Sequence, residues 1–342
     1  MYENFFQLKK NPFRMTPDPE LLFFTGAHRE AFAGLTYAIL SRKGFTVLTG
    51  DAGTGKTTLL TAILKSIPAT RAHMCVLLNP TLTASEFLEL ILLQFGLPDV
   101  GPSKAQRLIS LQRFLVESDH AGRIPVLIVD EAHMLSPEVL EEIRLLTNFE
   151  SPEGKLLQIV LAGQSELNGT LNRNELRQLK QRIAVRLNIK ALNESEVKQY
   201  VKFRWAKSGA ARELPFDDGT LSKIALASRG IPRVINAICD NALLLAYSNE
   251  SYQVRPEHLY EVIRDLDLDN GQRPAPAILR EPPRPRASAP AYEKLPPPRL
   301  QTATPVSQGA ADMRTLNRYA PPEPKPSFFA RWAVRGKPAG KR

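Results

Sequence analysis

The chain has 342 residues, enough for a sizeable core and two or three domains, and a formal net charge of +10. All of this excess lies in residues 271–342, which hold 14 Lys/Arg and 4 Asp/Glu, so residues 1–270 are neutral and carry no overall charge that favours nucleic acid. Two cysteines far apart in sequence, Cys75 and Cys239, exclude a disulfide framework and predict buried free thiols in a reducing compartment.

Residues 1–27 mix aromatic residues with prolines, and we expect an extended lead-in that packs against the body. Apolar residues at helical spacing then predict a helix over residues 28–44. The chain opens without a signal-peptide pattern, and no apolar run approaches the roughly 20 residues that span a bilayer. These features predict a cytoplasmic protein, with peripheral association at the inner membrane face as an alternative.

The stretch TGDAGTGKTTLL, residues 49–60, fits the phosphate-loop pattern G-x-x-x-x-G-K-[ST]. A β-rich run precedes it and an apolar-periodic segment follows it, so strand, loop and helix occur in the required order. In such a loop backbone N–H groups hold phosphates, Lys56 reaches the β/γ-phosphates, and Thr57 offers its hydroxyl to Mg²⁺. The sequence therefore predicts a site for ATP and Mg²⁺ formed by Gly50, Asp51, Ala52, Gly53, Thr54, Gly55, Lys56, Thr57 and Thr58.

A second signal, IPVLIVDEAHML, covers residues 124–135. Its apolar residues predict a buried strand that ends in Asp130 and Glu131, at the edge where open α/β sheets bind ligands. We expect Asp130 to hold Mg²⁺ together with Thr57, and Glu131 to orient and deprotonate the attacking water. A further apolar strand over residues 156–164 ends in Gln164.

Strands that are almost wholly apolar and alternate with helices predict a parallel sheet covered by helices on both faces. From residue 193 onwards the pattern changes to helices alone. We therefore predict an α/β nucleotide-binding domain with its lead-in over residues 1–190 and a small helical lid over residues 191–268.

Residues 269–342 are predicted to be a disordered, Pro-rich basic tail. Residues 271–342 contain 15 of the chain's 28 prolines, and aromatic residues interleave with arginines only near the end, from Phe328 to Trp332. Two interpretations remain open for this end. It docks on a partner or an anionic surface, or it is a passive basic end.

These motifs resemble those of AAA+ ATPases in the branch grouped with origin-recognition and DEAH ATPases, in particular the general secretion pathway protein A (ExeA-like) ATPases. The resemblance covers residues 1 to about 268 and rests on five stretches of the sequence. They are the opening YENFFQLKKNPFRMTPDP, the loop GDAGTGKT, the strands VLIVDEAH and LQIVLAGQ, and the turn GIPR.

The resemblance implies a P-loop NTPase fold, ATP hydrolysis, homo-oligomers and roles for further residues. It places Gln164 as sensor 1, Arg233 as sensor 2 and His133 as a link between Glu131 and its neighbours. Arg182 takes the place of the arginine that acts on a neighbouring subunit's nucleotide, and Arg177 and Arg186 are alternatives.

The predicted function is an ATP-hydrolysing switch that oligomerises and acts on a secretion, cell-envelope or exopolysaccharide partner. One alternative is a DNA-handling ATPase that resembles transposition helper proteins. A strip of basic residues favours it, although the neutral body makes nucleic acid the less favoured partner. This strip contains Arg173, Arg177, Lys180, Arg182, Arg186 and Lys190. A nucleotide-binding scaffold with little turnover is the third interpretation, and Glu131 argues against it because a pure binder needs no water-activating base.

Overall fold

The computed structural model describes residues 1–268 except 17, 79–80, 98–100 and 102. The predicted tail, residues 269–342, lies outside the described residues. The strands are β1 Phe45–Gly50, β2 Ala72–Leu77, β3 Ile124–Val129, β4 Glu150–Ser151, β5 Gly154–Lys155, β6 Gln158–Gly163 and β7 Ile183–Ile189.

The first eight α-helices accompany these strands, and the last four follow them. They are α1 Tyr2–Phe5, α2 Gly26–Leu40, α3 Lys56–Ser66, α4 Ala84–Gln94, α5 Lys104–His120, α6 Pro137–Leu146, α7 Glu166–Leu171, α8 Arg177–Gln181, α9 Glu194–Lys207, α10 Asp218–Ser228, α11 Pro232–Ser248 and α12 Pro256–Asp265. Short 3-10 helices occur at Pro19–Leu21, Ala132–Met134 and Asn174–Leu176.

A five-stranded parallel sheet with the order β2-β3-β6-β1-β7 forms the centre of the α/β part. Successive side chains of a strand point to opposite faces, and both faces of β3 are apolar. Leu127 and Val129 pack into the cluster that contains the buried side of α4, α5 and α6, whereas Val126 and Ile128 pack with α2 and α3. The predicted parallel sheet with helices on both faces is confirmed.

Local sequence explains where the helices begin. The Ser136 hydroxyl accepts a hydrogen bond from the Val139 amide at the start of α6, with a proline in the first turn. Asn193 and Glu196 form a reciprocal capping box at the start of α9, the first helix of the all-helical part. The predicted change to helices alone after residue 193 is confirmed by α9 to α12.

The lead-in packs with the helical part. Tyr2, Phe6, Leu8 and Phe13 are buried in the same apolar cluster as the core residues of α9 to α12. From sequence we place this segment with the α/β domain, whereas these contacts connect it to the helices that follow the sheet. Cys75 and Cys239 are both buried and free, as predicted.

Candidate functional site

Three neighbouring strands of the sheet place polar residues at one edge. β1 leads into the loop that begins at Gly50, β3 ends before Asp130 and β6 ends before Gln164. Since β6 lies between β3 and β1, these three strand ends are adjacent. The carboxyl edge of a parallel sheet is the usual place for a ligand in such folds.

The loop between β1 and α3 folds around the ammonium group of Lys56. Its Nζ donates to the backbone carbonyls of Gly50, at 2.8 Å, and of Asp51, at 3.0 Å. Only 5% of the Lys56 side chain surface is exposed, and burial lowers the pKa of its ammonium group against the opposing effect of the Glu131, Asp130 and Asp51 carboxylates. The Lys56 ammonium group is therefore held at the N-terminal end of α3. The positive end of the helix dipole lies at the same place, so both features favour the binding of an anion.

Thr57 and Asp130 contact each other directly. The Thr57 hydroxyl donates to Asp130 Oδ2 at 2.6 Å, and the Glu131 amide donates to Asp130 Oδ1 at 2.9 Å. No group of three or more His, Cys, Asp or Glu suited to a metal occurs in the described part of the chain. One carboxylate beside one hydroxyl fits Mg²⁺, which is usually held by few protein ligands together with water and substrate phosphates.

Glu131 lies at a strained turn and has one buried oxygen. Its φ of 52° is in the left-handed region, which costs a non-glycine residue about 1–3 kcal/mol and often marks a functional site. Oε2 lies 3.3 Å from Nδ1 of His133 without the direction of a hydrogen bond, so this buried oxygen has no hydrogen-bond partner among the described residues. His133 Nε2 lies 3.1 Å from the side-chain nitrogen Nε2 of Gln164. His133 therefore lies between Glu131 and Gln164.

A cavity of about 330 Å³ opens above the loop. Gly53 to Thr58 and Glu131 line one side of it, and residues of the lead-in and of α9 and α11 line the other. Leu21, Leu22 and Phe23 contribute apolar side chains to the lining, in addition to the charged residues of the loop and the lead-in. A cavity lined by both charged and apolar side chains fits a ligand that has phosphates and a flat base.

Comparison with known proteins agrees with this geometry. A family model described as an AAA domain matches residues 39–171, which contain Lys56, Asp130, Glu131 and Gln164. Residues 39–171 thus match an AAA domain.

Two relatives match a longer stretch of the chain than residues 39–171. The chain is 41% identical over 255 residues to general secretion pathway protein A of Aeromonas hydrophila, a match that covers 74% of this chain and 46% of that protein. The chain thus spans less than half the length of that relative. It is 26% identical over 257 residues to the ATP-dependent target DNA activator B of Escherichia phage Mu, covering 74% of this chain and 76% of the activator.

Solved structures share the fold of about three quarters of the chain. The Aeropyrum pernix ORC2 protein has a TM-score of 0.56 at 17% identity and covers 75% of this chain and 72% of its own. Cdc6p from Pyrobaculum aerophilum has a TM-score of 0.58 at 16% identity and covers 75% of this chain and 71% of its own. These likenesses concern the fold.

Several residues of the site escape sequence analysis. His28 at the start of α2 is buried, and its Nε2 lies 3.1 Å from the backbone carbonyl of Thr54. Ser165 donates to the Asp51 carboxylate at 2.8 Å and so connects the end of β6 to the loop. Burial lowers the pKa of His28, which favours the neutral ring beside the loop. Single His and Ser residues carry no spacing signal, so only the fold identifies them.

Arg233 in the GIPR turn lies against the loop. Its backbone amide donates to the carbonyl of Gly53 at 3.3 Å, and its side chain lines the cavity. A Cβ added at Gly53 would lie 2.7 Å from Cβ of Arg233, and Gly53 has a φ of +80°. The first turn of α11 therefore packs on the AAA domain at a residue that must be glycine.

We predict that Gly53→Ala lowers nucleotide affinity about tenfold or more while the protein stays folded. The added methyl group separates the loop from Arg233 and strains a left-handed residue, which costs about 1–3 kcal/mol. Titration of a fluorescent ADP derivative measures the affinity, and Gly169→Ala, in α7 with open space around its Cα, is the matched control. Unchanged affinity in Gly53→Ala would show that this contact does not shape the site.

Arg182 lies apart from the cavity. Its Nη1 donates to Thr147 Oγ1 at 2.7 Å and to Asn148 Oδ1 at 2.5 Å, at the C-terminal end of α6. Of the two alternatives, Arg186 lies 3.5 Å from the Asn168 side chain and Arg177 is exposed. None of the three arginines lines the cavity of its own chain.

Within the described part of the chain, every helix is too short or too polar to cross a membrane.

Proposed function

We propose that this protein binds ATP with Mg²⁺ in the cavity above the loop and hydrolyses it. The observation that carries the proposal is the convergence of Lys56, the Thr57–Asp130 pair and Glu131 at one edge of the sheet, where Glu131 Oε2 has no hydrogen-bond partner among the described residues. A cation, a hydroxyl beside a carboxylate, and a second carboxylate with a free oxygen are the groups that phosphoryl transfer to water requires.

Each group has a separate task. Lys56 exchanges its loop carbonyls for phosphate oxygens, and the amides at the start of α3 hold the same phosphates. Thr57 and Asp130 would hold Mg²⁺, which when bound supplies positive charge beside the phosphates. Glu131 accepts a proton from the attacking water, and Gln164 orients that water or senses the terminal phosphate. Arg233, in the first turn of α11, contacts the nucleotide phosphates and so connects their presence or loss to the helical part.

We further propose that the protein works in the cytoplasm as a homo-oligomeric switch for a secretion or cell-envelope partner, with peripheral association at the inner face of the membrane as the alternative. The 41% identity to general secretion pathway protein A supports this assignment. A ring or chain of subunits brings an arginine from one copy to the cavity of the next, a task for which Arg182 is the first candidate. Residues 269–342 would supply contacts to the partner or an anionic surface.

A DNA-handling ATPase is the second candidate. The match to the phage target DNA activator covers 76% of that activator. The match to general secretion pathway protein A covers only 46% of that protein. The exposed side chains of Arg173, Arg177, Lys180, Arg186 and Lys190 give this candidate its basic surface. The neutral charge of residues 1–270 opposes it.

The test has two arms. The first arm measures release of phosphate from ATP with and without Mg²⁺, and this release is expected to require Mg²⁺. If no phosphate is released even with Mg²⁺, the proposed hydrolysis is contradicted. Binding to duplex DNA is then measured across 50–200 mM salt. Affinity that falls steeply with salt would indicate phosphate contacts and favour the second candidate. Negligible binding throughout favours the first.

A further inference from the structure

Arg204, in the last turn of α9, is a buried cation without a carboxylate partner in the described part of the chain. It is 7% exposed and lines the cavity. Burial lowers the pKa of its guanidinium group. Burying a cation costs free energy unless its donors are satisfied, so the partners of Arg204 indicate its role.

Two of these partners are backbone carbonyls of the lead-in. Arg204 Nε donates to the Pro12 carbonyl at 2.5 Å, and Nη2 donates to the Arg14 carbonyl at 3.2 Å. The intervening Phe13 is fully buried and packs edge-on against Phe216. Arg14, Met15 and Thr16 then form part of the cavity lining. Arg204 therefore fixes the backbone immediately before this wall.

The other partner leads towards the loop. Arg204 Nη1 donates to the Tyr200 hydroxyl at 3.3 Å, and that hydroxyl donates to Asn236 Oδ1 at 2.8 Å. Asn236 is buried, lines the cavity and lies in α11 three residues after Arg233, which contacts Gly53. A continuous set of hydrogen bonds thus connects the lead-in wall to the helix that packs on the phosphate loop.

We propose that Arg204 is a positioning residue that holds residues 12–16 as a wall of the nucleotide cavity and so determines how long nucleotide stays bound. This inference rests on the proposed function. The hydrogen bonds of Arg204 go to the lead-in and Tyr200, and none goes to Lys56, Asp130 or Glu131. We therefore expect Arg204 to affect the rate at which nucleotide dissociates. The hydrolysis step depends on the groups at the edge of the sheet.

The test is the dissociation rate of a fluorescent ADP derivative from Arg204→Lys. Lysine keeps the charge but lacks the planar fork that reaches two carbonyls and a hydroxyl together. Dissociation is expected to be about 10–100-fold faster, since hydrogen bonds to charged groups are lost. The KM for ATP is expected to rise by a similar factor, and kcat to change much less.

Tyr2→Phe is the matched control. The Tyr2 hydroxyl donates to the Asp240 carboxylate and ties the start of the lead-in to α11, and Tyr2 does not line the cavity. This variant is expected to lower the melting temperature without faster ADP dissociation. If Arg204→Lys does not fold, Tyr200→Phe carries the test, because it removes one hydroxyl from the same set of hydrogen bonds and keeps the ring. Its dissociation is expected to be about 3–10-fold faster.

Trypsin cleavage after Arg14 gives a second measurement that does not depend on ATP hydrolysis. The Arg14 side chain is 41% exposed, and we expect faster cleavage there in Arg204→Lys and slower cleavage in the wild-type protein when ADP is added. If the wild-type protein binds ADP and hydrolyses ATP while the variant matches it in dissociation and cleavage, this inference is wrong and the proposed function stands. A wild-type protein that neither binds ADP nor hydrolyses ATP would overturn both.

Discussion

Lys56→Ala is expected to lose most nucleotide binding, whereas Glu131→Gln is expected to bind ATP with near wild-type affinity and hydrolyse it about 10²–10⁴-fold more slowly. The two effects differ because the two side chains act at different stages. Lys56 is already held at the N-terminal end of α3 by the Gly50 and Asp51 carbonyls, where it meets phosphates in the bound ground state. Glu131 acts only on the attacking water.

Glutamine at position 131 keeps the shape of the side chain and removes its basicity. Oε2 is the buried oxygen that has no hydrogen-bond partner among the described residues, so the substitution places a neutral amide where a base would take the proton. The strained backbone at this residue is unaffected, because glutamine and glutamate meet the same penalty at a φ of 52°. Loss of turnover is therefore expected without loss of fold.

Binding and turnover must be measured separately. Equilibrium titration with a fluorescent ATP derivative reports binding, and phosphate release at saturating ATP reports turnover. Lys65→Ala, an exposed lysine in the last turn of α3, and Glu153→Gln, an exposed glutamate, are the matched controls. Wild-type turnover in Glu131→Gln would show that Asp130 and Glu131 are not the catalytic pair.

The site residues close to the sheet edge were predictable because they follow local patterns. A phosphate loop needs a strand, a run of glycines and a helix in sequence, and β1, the loop from Gly50 and α3 supply them. The same holds for Asp130 at the end of β3. Residues that differ from these patterns, such as His28 and Ser165, act through contacts across the fold and carry no local signal.

The edge strand β7 has an alternating pattern of apolar and polar residues that is visible in the sequence. Ile183, Val185 and Leu187 are partly buried, and the residues between them are exposed, as alternation along a half-covered strand requires. From sequence we predict no separate strand within the basic strip from Arg173 to Lys190. In the structure it divides into a 3-10 helix, α8 and β7.

The lead-in could not be placed from sequence. Its aromatic residues predict packing, but nothing local says against which part. Tyr2 reaches Asp240 and Arg204 reaches the Pro12 carbonyl, and both contacts join residues about 190 positions or more apart. Such pairings are fixed by the whole fold, so the wall of the cavity formed by the lead-in is visible only in the structure.

Arg182→Ala is expected to bind ATP and to hydrolyse it about 10³–10⁵-fold more slowly, if Arg182 completes the cavity of a neighbouring subunit. In its own chain the guanidinium is held by Thr147 and Asn148 at the end of α6 and does not line the cavity. An arginine so placed affects turnover only through a second copy. Specific activity should then rise with protein concentration across a hundredfold range.

Complementation between two inactive variants separates this role from a structural one. Mixed with Lys56→Ala, the Arg182→Ala protein should regain part of its activity, because each supplies what the other lacks. Arg113→Ala is the matched control, since Arg113 is exposed on α5 and is not a candidate for this role. A lower melting temperature for Arg182→Ala, with constant specific activity and no complementation, would mean that Arg182 only anchors the end of α6. In that case a loss of activity in Arg177→Ala or Arg186→Ala would identify the arginine that acts between subunits.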